Sequence, residues 1–486
     1  MLKIAKPTHE TLNKALSITI TLAVFFLSRQ GLFAGDFSAG PAFDRFPLTI
    51  GAGERTEIGG PFYYNERNDS STTWALPPFF SRQEDPTIDE LEIQSLYPVF
   101  SYVKYGTQYR VQLIQIFSIQ GGENPNNVQA HRFWLFPIYF QQRSTDTNDN
   151  YTAFFPIYGG LKNMLFRDEI SFVMFPAYSQ TRLRDVVNNN YFYPFVNTRH
   201  GNGMHGWQFW PFYGTEHKDV TLVTNTWGVE TSGGHDQSFI LWPIHISQNN
   251  GIGTDNPEKI RLNLPFYGSL RSPQRDWTAV LWPFFNWIDD REKKYREREL
   301  PWPFIVFAHG PGKNAVRVFP FYNHAYNDTQ VDNFYAWPIY KYNAIHSPPL
   351  EWRRTRIAFF LYQNTFEKNI ETGKFKRRVD LWPLCLYKRD FDGSSRLQIF
   401  AFMESFFPVS PGIERNWSPL WSIWRSEKNP AAGAESQSFL WNLYRRDVSP
   451  GRKKISCFFG LYQSQTNAEG KNVRLFYIPM VHNASH

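Results

Sequence analysis

The sequence predicts an all-β protein: an antiparallel up-and-down meander of roughly two dozen strands, closed into a β-barrel. Three observations carry that expectation. An aromatic–proline phrase recurs about every 19 residues. Strand-forming residues cluster on each phrase, and turn-forming residues fill the gaps. No stretch shows the apolar period of a helix.

The phrase reads "WLFPIYF" at 134–140, "AFFPIYG" at 153–159, "QFWPFYG" at 208–214, "ILWPIHI" at 240–246, "VLWPFFN" at 280–286, "YAWPIYK" at 335–341 and "DLWPLCL" at 380–386. Its centres run from Pro98 to Pro479, with weaker ones at Pro47, Pro61 and Pro77. Ile116, Trp227, Leu361, Phe402, Leu420, Asn442 and Gly460 stand where other units have proline, so proline is not required in every unit. Each unit is expected to be one strand of 10–13 residues and one turn. The turns are expected at "TDTNDN" (145–150), "VNNN" (187–190), "NNGIGTDNP" (249–257), "GPGKN" (310–314), "DGSS" (392–395), "SPGR" (449–452) and "NAEGK" (467–471).

With the phrase at mid-strand, alternation puts positions −4, −2, 0 and +2 from the proline on one face and −1 and +1 on the other. Both faces are then apolar over a belt about six residues tall. A bilayer can cover one such face and packed side chains the other; a second sheet on each side is the soluble alternative. Proline has no N–H for a ladder, so a repeated mid-strand bulge is expected to accommodate it. The structural residues of the repeat are Trp210, Pro211, Trp242, Pro243, Trp282, Pro283, Trp337, Pro338, Trp382 and Pro383.

Residues 1–34 read as a signal peptide: Lys3, Lys6 and Lys14, an apolar run over 15–27, and a small residue at Ala34 before the expected cleavage point. Residues 35–486 read as a single β-repeat domain. The formal charge of +7 falls to about +4 without residues 1–34, which hold four basic residues and one acid. That mild excess gives no argument for nucleic acid. Aromatic residues make up 18% of the chain, more than one core needs, yet the mean hydropathy is −0.46. Apolar residues must therefore lie in short bands between polar segments. Cys385 and Cys457 make no disulfide framework.

Strands of the form "LWPLxxYxRD" followed by a polar turn resemble those of exported bacterial repeat proteins rich in "LWPLF" and "FFPFY" phrases, which are outer-membrane β-barrel-like. The phrases cover most of residues 45–480. The resemblance implies export and an outer-membrane setting, and it carries no catalytic assignment. The C-terminus "LFYIPMVHNASH" departs from the terminal aromatic that barrel strands usually carry.

Chemistry is weakly marked. His200, His205, His217 and His235 lie in or near Gly- and Asn-rich stretches without metal-ligand spacing. Acidic groups at 83–92, 167–169 and 289–290 sit beside Arg or Lys, as solvated strand ends do. No nucleophile elbow or phosphate loop is present in the sequence, and no cofactor or metal is expected. Trp207, Trp210, Trp242, Trp282, Trp302, Trp337 and Trp382 could stack on sugar, but their fixed place in the repeat reads first as structural. Arg182, Arg389, Arg445 and Arg446 are placed to meet lipopolysaccharide phosphates or to be plain strand ends. The expectation is a non-enzymatic outer-membrane protein with a structural or transport role, whose partner is outer-membrane lipid or lipopolysaccharide. The alternative is a periplasmic or surface protein binding a glycan or protein partner.

Overall fold

In each aromatic–proline phrase the chain reverses direction. At 208–214 the strand Met204–Phe209 ends, residues 210–212 turn, and the strand Tyr213–Lys218 runs back. The Phe212 N–H donates to the Phe209 carbonyl at 2.8 Å, and Pro211 follows a cis peptide bond. This is the type VI turn, in which a cis-proline takes the third position. Ile138 N–H to Leu135, Ile157 to Phe154, Phe266 to Asn263 and Phe321 to Val318 close equivalent turns. The third position of the turn needs no donor, so the missing N–H of proline costs nothing there. Where proline is absent, residues with positive φ make the reversal instead: Ile114 and Gln115, Ala358 and Phe359, Leu440 to Asn442, Phe458 and Phe459.

The computed structural model describes residues 42–123, 128–225, 228–468 and 470–484. The expected signal peptide and Trp227 lie outside them. The meander is present, but each 19-residue unit holds two short strands rather than one long one. The main sheet has 43 strands, all antiparallel and joined to sequence neighbours, instead of two dozen. A separate two-stranded hairpin, Thr221–Asn225 with Gly228–Ser232, projects from it. The mid-strand bulge and the two apolar strand faces are therefore corrected. Residues before and after the proline belong to different strands, so alternation cannot be counted through it. "VNNN" is corrected too: it lies inside the strand Val186–Tyr191, where Asn190 is buried and donates to Ser179 Oγ at 3.2 Å.

Because connections alternate ends in a meander, every aromatic turn falls on one rim and every polar turn on the other. One row of paired residues stays just behind the aromatic rim across the whole sheet. A stretch of it reads Ala153, Gly159, Phe172, Ser179, Asn190, Asn197, Gln208. It holds the best-buried positions of the sheet, including Ala75, Ser81, Ala279 and Asn323. Across most aromatic turns successive row members are six or seven residues apart, as from Ala153 to Gly159 and from Phe172 to Ser179; the exceptions are 27 from Gln398 to Arg425 and five from Arg474 to Pro479 at the bulged last turn. Across polar turns the separation varies, from 11 between Ser179 and Asn190 to 25 between Gly214 and Phe239. The aromatic rim is therefore level apart from the 400–423 connection, and the other large length variation lies on the polar rim. The row never drifts along the strands, whereas the tilted strands of a barrel carry a stagger.

The end strands Asp44–Pro47 and Ile478–Ala484 each pair with one neighbour, and no ladder among the described residues joins them. The first two strands instead meet, through side chains of one face, the turn at Asn442 and the strand Tyr444–Ser449, which comes four strands before the last. Arg445 lies over the Phe46 ring, and Asn442 donates to Glu57 at 2.8 Å. A sheet whose first strands contact one face near its other end is curled about that face, which we call inward.

The longest rim connection, 400–423, breaks the repeat. It carries short helices Pro411–Asn416 and Ser418–Trp421 and lies against the first strands. Phe402 and Leu420, which read as repeat centres, belong to this insertion.

Candidate functional site

The aromatic rim is the feature the repeat builds most consistently. In several turns the residue before the proline packs on the sheet face just behind the turn. Phe155 meets Phe172 edge-on at 5.6 Å, and Phe319 meets Phe334 at 6.0 Å. These rings also touch along the rim: Phe155–Phe175 at 5.6 Å, Phe175–Tyr193 at 5.9 Å, Trp210–Trp242 at 5.9 Å, Phe319–Trp337 at 5.6 Å and Phe360–Trp382 at 5.2 Å. Backbone bonds cross between neighbouring turns as well. Tyr193 N–H donates to Pro176, Trp242 to Pro211 and Trp337 to Pro320. The turns thus prolong the sheet, and the rim is a packed edge rather than a fringe of loops.

The rings before the prolines remain partly exposed, Phe136 and Tyr193 among them, and the residue after the proline is exposed in most turns. Phe79, Ile138, Ile157, Phe212, Ile244 and Ile339 all point to solvent, and Phe266 and Phe321 are each 70% exposed. Apart from the 400–423 insertion, no rim connection contains a charged residue or a histidine. A dozen such side chains at about 100 Å² each expose about 1,200 Å² of apolar surface, above the few hundred expected of a soluble monomer.

The expected repeat residues all sit on this rim. Trp210 and Pro211, Trp242 and Pro243, Trp282 and Pro283, Trp337 and Pro338, and Trp382 and Pro383 occupy five of its turns, each joined by a cis bond. The side chain of Trp382 also donates to Phe402 O at 2.9 Å.

A second cluster is one the sequence does not mark. Arg415, 6% exposed, pairs with Glu92 at 2.6 Å and donates to Gln83 at 2.7 Å. Asn416 donates to Gln94 at 2.6 Å, Trp417 Nε1 to Tyr97 O at 2.9 Å, and Tyr64 donates to Arg415 O at 3.0 Å. Beside them Glu427 accepts from Arg396 at 2.9 Å and Arg425 at 2.7 Å. Burial works to raise the Glu427 carboxyl, but Arg425 and Arg396 outweigh it and hold it at about 2. Burial also pushes Tyr64 up to about 12, against the lowering effect of Arg55. The sequence carried no signal for this seam: "SPGIERN" at 410–416 reads as one more polar turn between the centres Phe402 and Leu420.

The remaining candidates are dispersed. The His205 and His217 rings lie 4.9 Å apart on adjacent strands, tilted by 43°, and His217 Nδ1 and Nε2 face Asp236 at 2.5 Å and Asp219 at 3.2 Å. Those hydrogen bonds raise its pKa. His235 faces Glu216 at 2.7 Å. Among the described residues no three His, Cys, Asp or Glu converge as metal ligands. Glu169 pairs with Arg182 at 2.8 Å, Asp289 with Arg296 at 3.3 Å, and Asp290 accepts from Lys293 N at 2.8 Å. Arg445 pairs with Asp447, Arg389 lies over Phe375, and Cys385 and Cys457 are free thiols. No family model matches the chain, and no curated protein is similar to it.

Proposed function

We propose that this is an exported, non-enzymatic protein of the bacterial outer membrane with a structural or transport role. The uncharged aromatic rim is its contact with lipid. The observation that carries this reading is the division of connections: apolar residues exposed on one level edge, polar and charged ones on the other. The strands, mostly 5–8 residues long, are shorter than the 9–11 a bilayer-spanning strand needs. Lipid contact is accordingly placed at the rim, with Trp and Tyr at the headgroup level where such rings are favoured. The sheet closes into a ring through the 400–423 seam, in place of the ladder of an ordinary barrel.

The test is export followed by fractionation. The full chain is expressed in a Gram-negative host, and its membranes are washed with carbonate and run on gels with and without boiling. Retention in the outer-membrane fraction, with a mobility change on boiling, is the expected result. Release into the soluble fraction would sink the membrane reading. Retention without a mobility change would remove closure and leave the lipid contact.

A further inference from the structure

We infer that the inward face carries a binding groove for a neutral sugar, between the strands Val196–Gly201 and His245–Ile252. The groove measures about 250 Å³. Behind the rim its row reads Asn197, Gln208, Gly214, Phe239 and Ile246. Two residues further in, on the same face, the row reads Arg199, Gly206, Glu216, Gln237 and Gln248.

Two glycines shape it. The Phe239 ring lies over Gly214, where a Cβ would stand 2.3 Å from Phe239 Cε1. Gly206 separates Arg199 from Glu216 and leaves the guanidinium free to reach the carboxylate across it. At the rim end Trp210 and Trp242 line the groove with ring centroids 5.9 Å apart. One end is thus an aromatic platform and the other a polar floor.

The chemistry selects the ligand class. The carboxamides of Gln208 and Gln248 have no intramolecular hydrogen-bond partner among the described residues, and Gln237 uses only its Nε2, on Asn250 at 3.3 Å. Donors and acceptors are therefore left for a ligand. The charges cancel: Arg199 binds Glu216, whose other oxygen meets His235 Nε2 at 2.7 Å. An anionic or cationic ligand finds no uncompensated partner here. A pyranose ring has an apolar C–H face for the aromatic rings and hydroxyls for the carboxamides. The volume lies just below the about 300–1,000 Å³ typical of drug-sized ligands and suits one or two sugar rings.

This inference does not rest on the membrane reading, since its polar rows lie on the strand face, while Trp210 and Trp242 join it from the rim. The test uses the full chain without residues 1–34 and four probes: maltotetraose, cellotetraose, chitotetraose and mannotetraose. Binding is read by saturation-transfer NMR and calorimetry. At least one probe is expected to bind with Kd below about 1 mM. Gln208→Leu with Gln248→Leu is expected to weaken it at least about tenfold with the unfolding midpoint held, while Trp337→Leu, in a distant rim turn, leaves it unchanged. Failure of all four probes to bind below about 10 mM would overturn the inference. So would equal weakening by Trp337→Leu, or a preference for glucose 1-phosphate over every neutral probe.

Discussion

Phe266 and Phe321 offer the sharpest test of the rim. Each is 70% exposed at the position after a proline, and each sits in a three-residue turn closed by its own N–H. Taking about 200 Å² for a phenylalanine side chain, each presents about 140 Å² to solvent. Full transfer to hydrocarbon at about 25 cal/mol per Å² is worth about 3.5 kcal/mol per ring. A ring seated at the headgroup boundary is about half covered, which gives about 3.5 kcal/mol for the pair. Phe266→Ser with Phe321→Ser should therefore lower membrane partitioning by roughly 300-fold. The assay is flotation with vesicles of phosphatidylethanolamine, phosphatidylglycerol and lipopolysaccharide, over a lipid titration. Because the rings touch little protein, the unfolding midpoint in detergent-free buffer should stay within about 3 °C. Unchanged flotation of the double variant would refute the reasoning, as would a parent protein that stays at the bottom of the gradient.

Three further outcomes follow from the seam and the polar rim. Arg415→Ala leaves Glu92 and Gln83 without their partner and should cost about 3 kcal/mol, read as faster hydrogen exchange in Phe80–Asp85 and Glu90–Ser95 than in mid-sheet strands. Glu427 is held at about 2, below its unfolded value of 4.5, so its stabilisation is complete above about pH 4.5 and is lost as pH falls towards 2. That loss is on the order of 3 kcal/mol, and denaturant midpoints measured between pH 5 and 2 should show it; Glu427→Gln should flatten the slope. His217 is raised by its hydrogen bonds to Asp236 and then Asp219, so its contribution is present below about pH 6.5 and disappears as pH rises through the folded value. An NMR titration should place its midpoint above 6.5, and Asp236→Asn should bring it down.

The rim was legible in part. Recurrence of aromatic, proline and aliphatic residues at fixed spacing marked Trp210, Trp242, Trp282, Trp337 and Trp382 as members of one structural set, and they share one edge. Their local role was misplaced, because a short apolar run reads alike as a buried strand or as an apolar turn. Proline was the available clue: a residue that cannot donate to a ladder recurs at turns more readily than at mid-strand.

By itself the chain determined what local chemistry can encode. Strand-forming clusters about every 19 residues, separated by polar turns too short for a crossover, leave an antiparallel meander as the only economical topology. Tertiary structure decided the rest. Whether an aromatic–proline phrase spans a strand or reverses it depends on the hydrogen bonds it makes to the neighbouring turn, as Trp242 N–H does to Pro211. The seam joins Tyr64 to Arg415 and Glu57 to Asn442, more than 300 residues apart, and no periodicity announces such a pair. The groove over Gly206 and Gly214 needs four pairings to bring Arg199, Glu216 and Gln248 into one row. Period and composition act over a few residues, whereas register and curl are set by the summed packing of every strand on its neighbours.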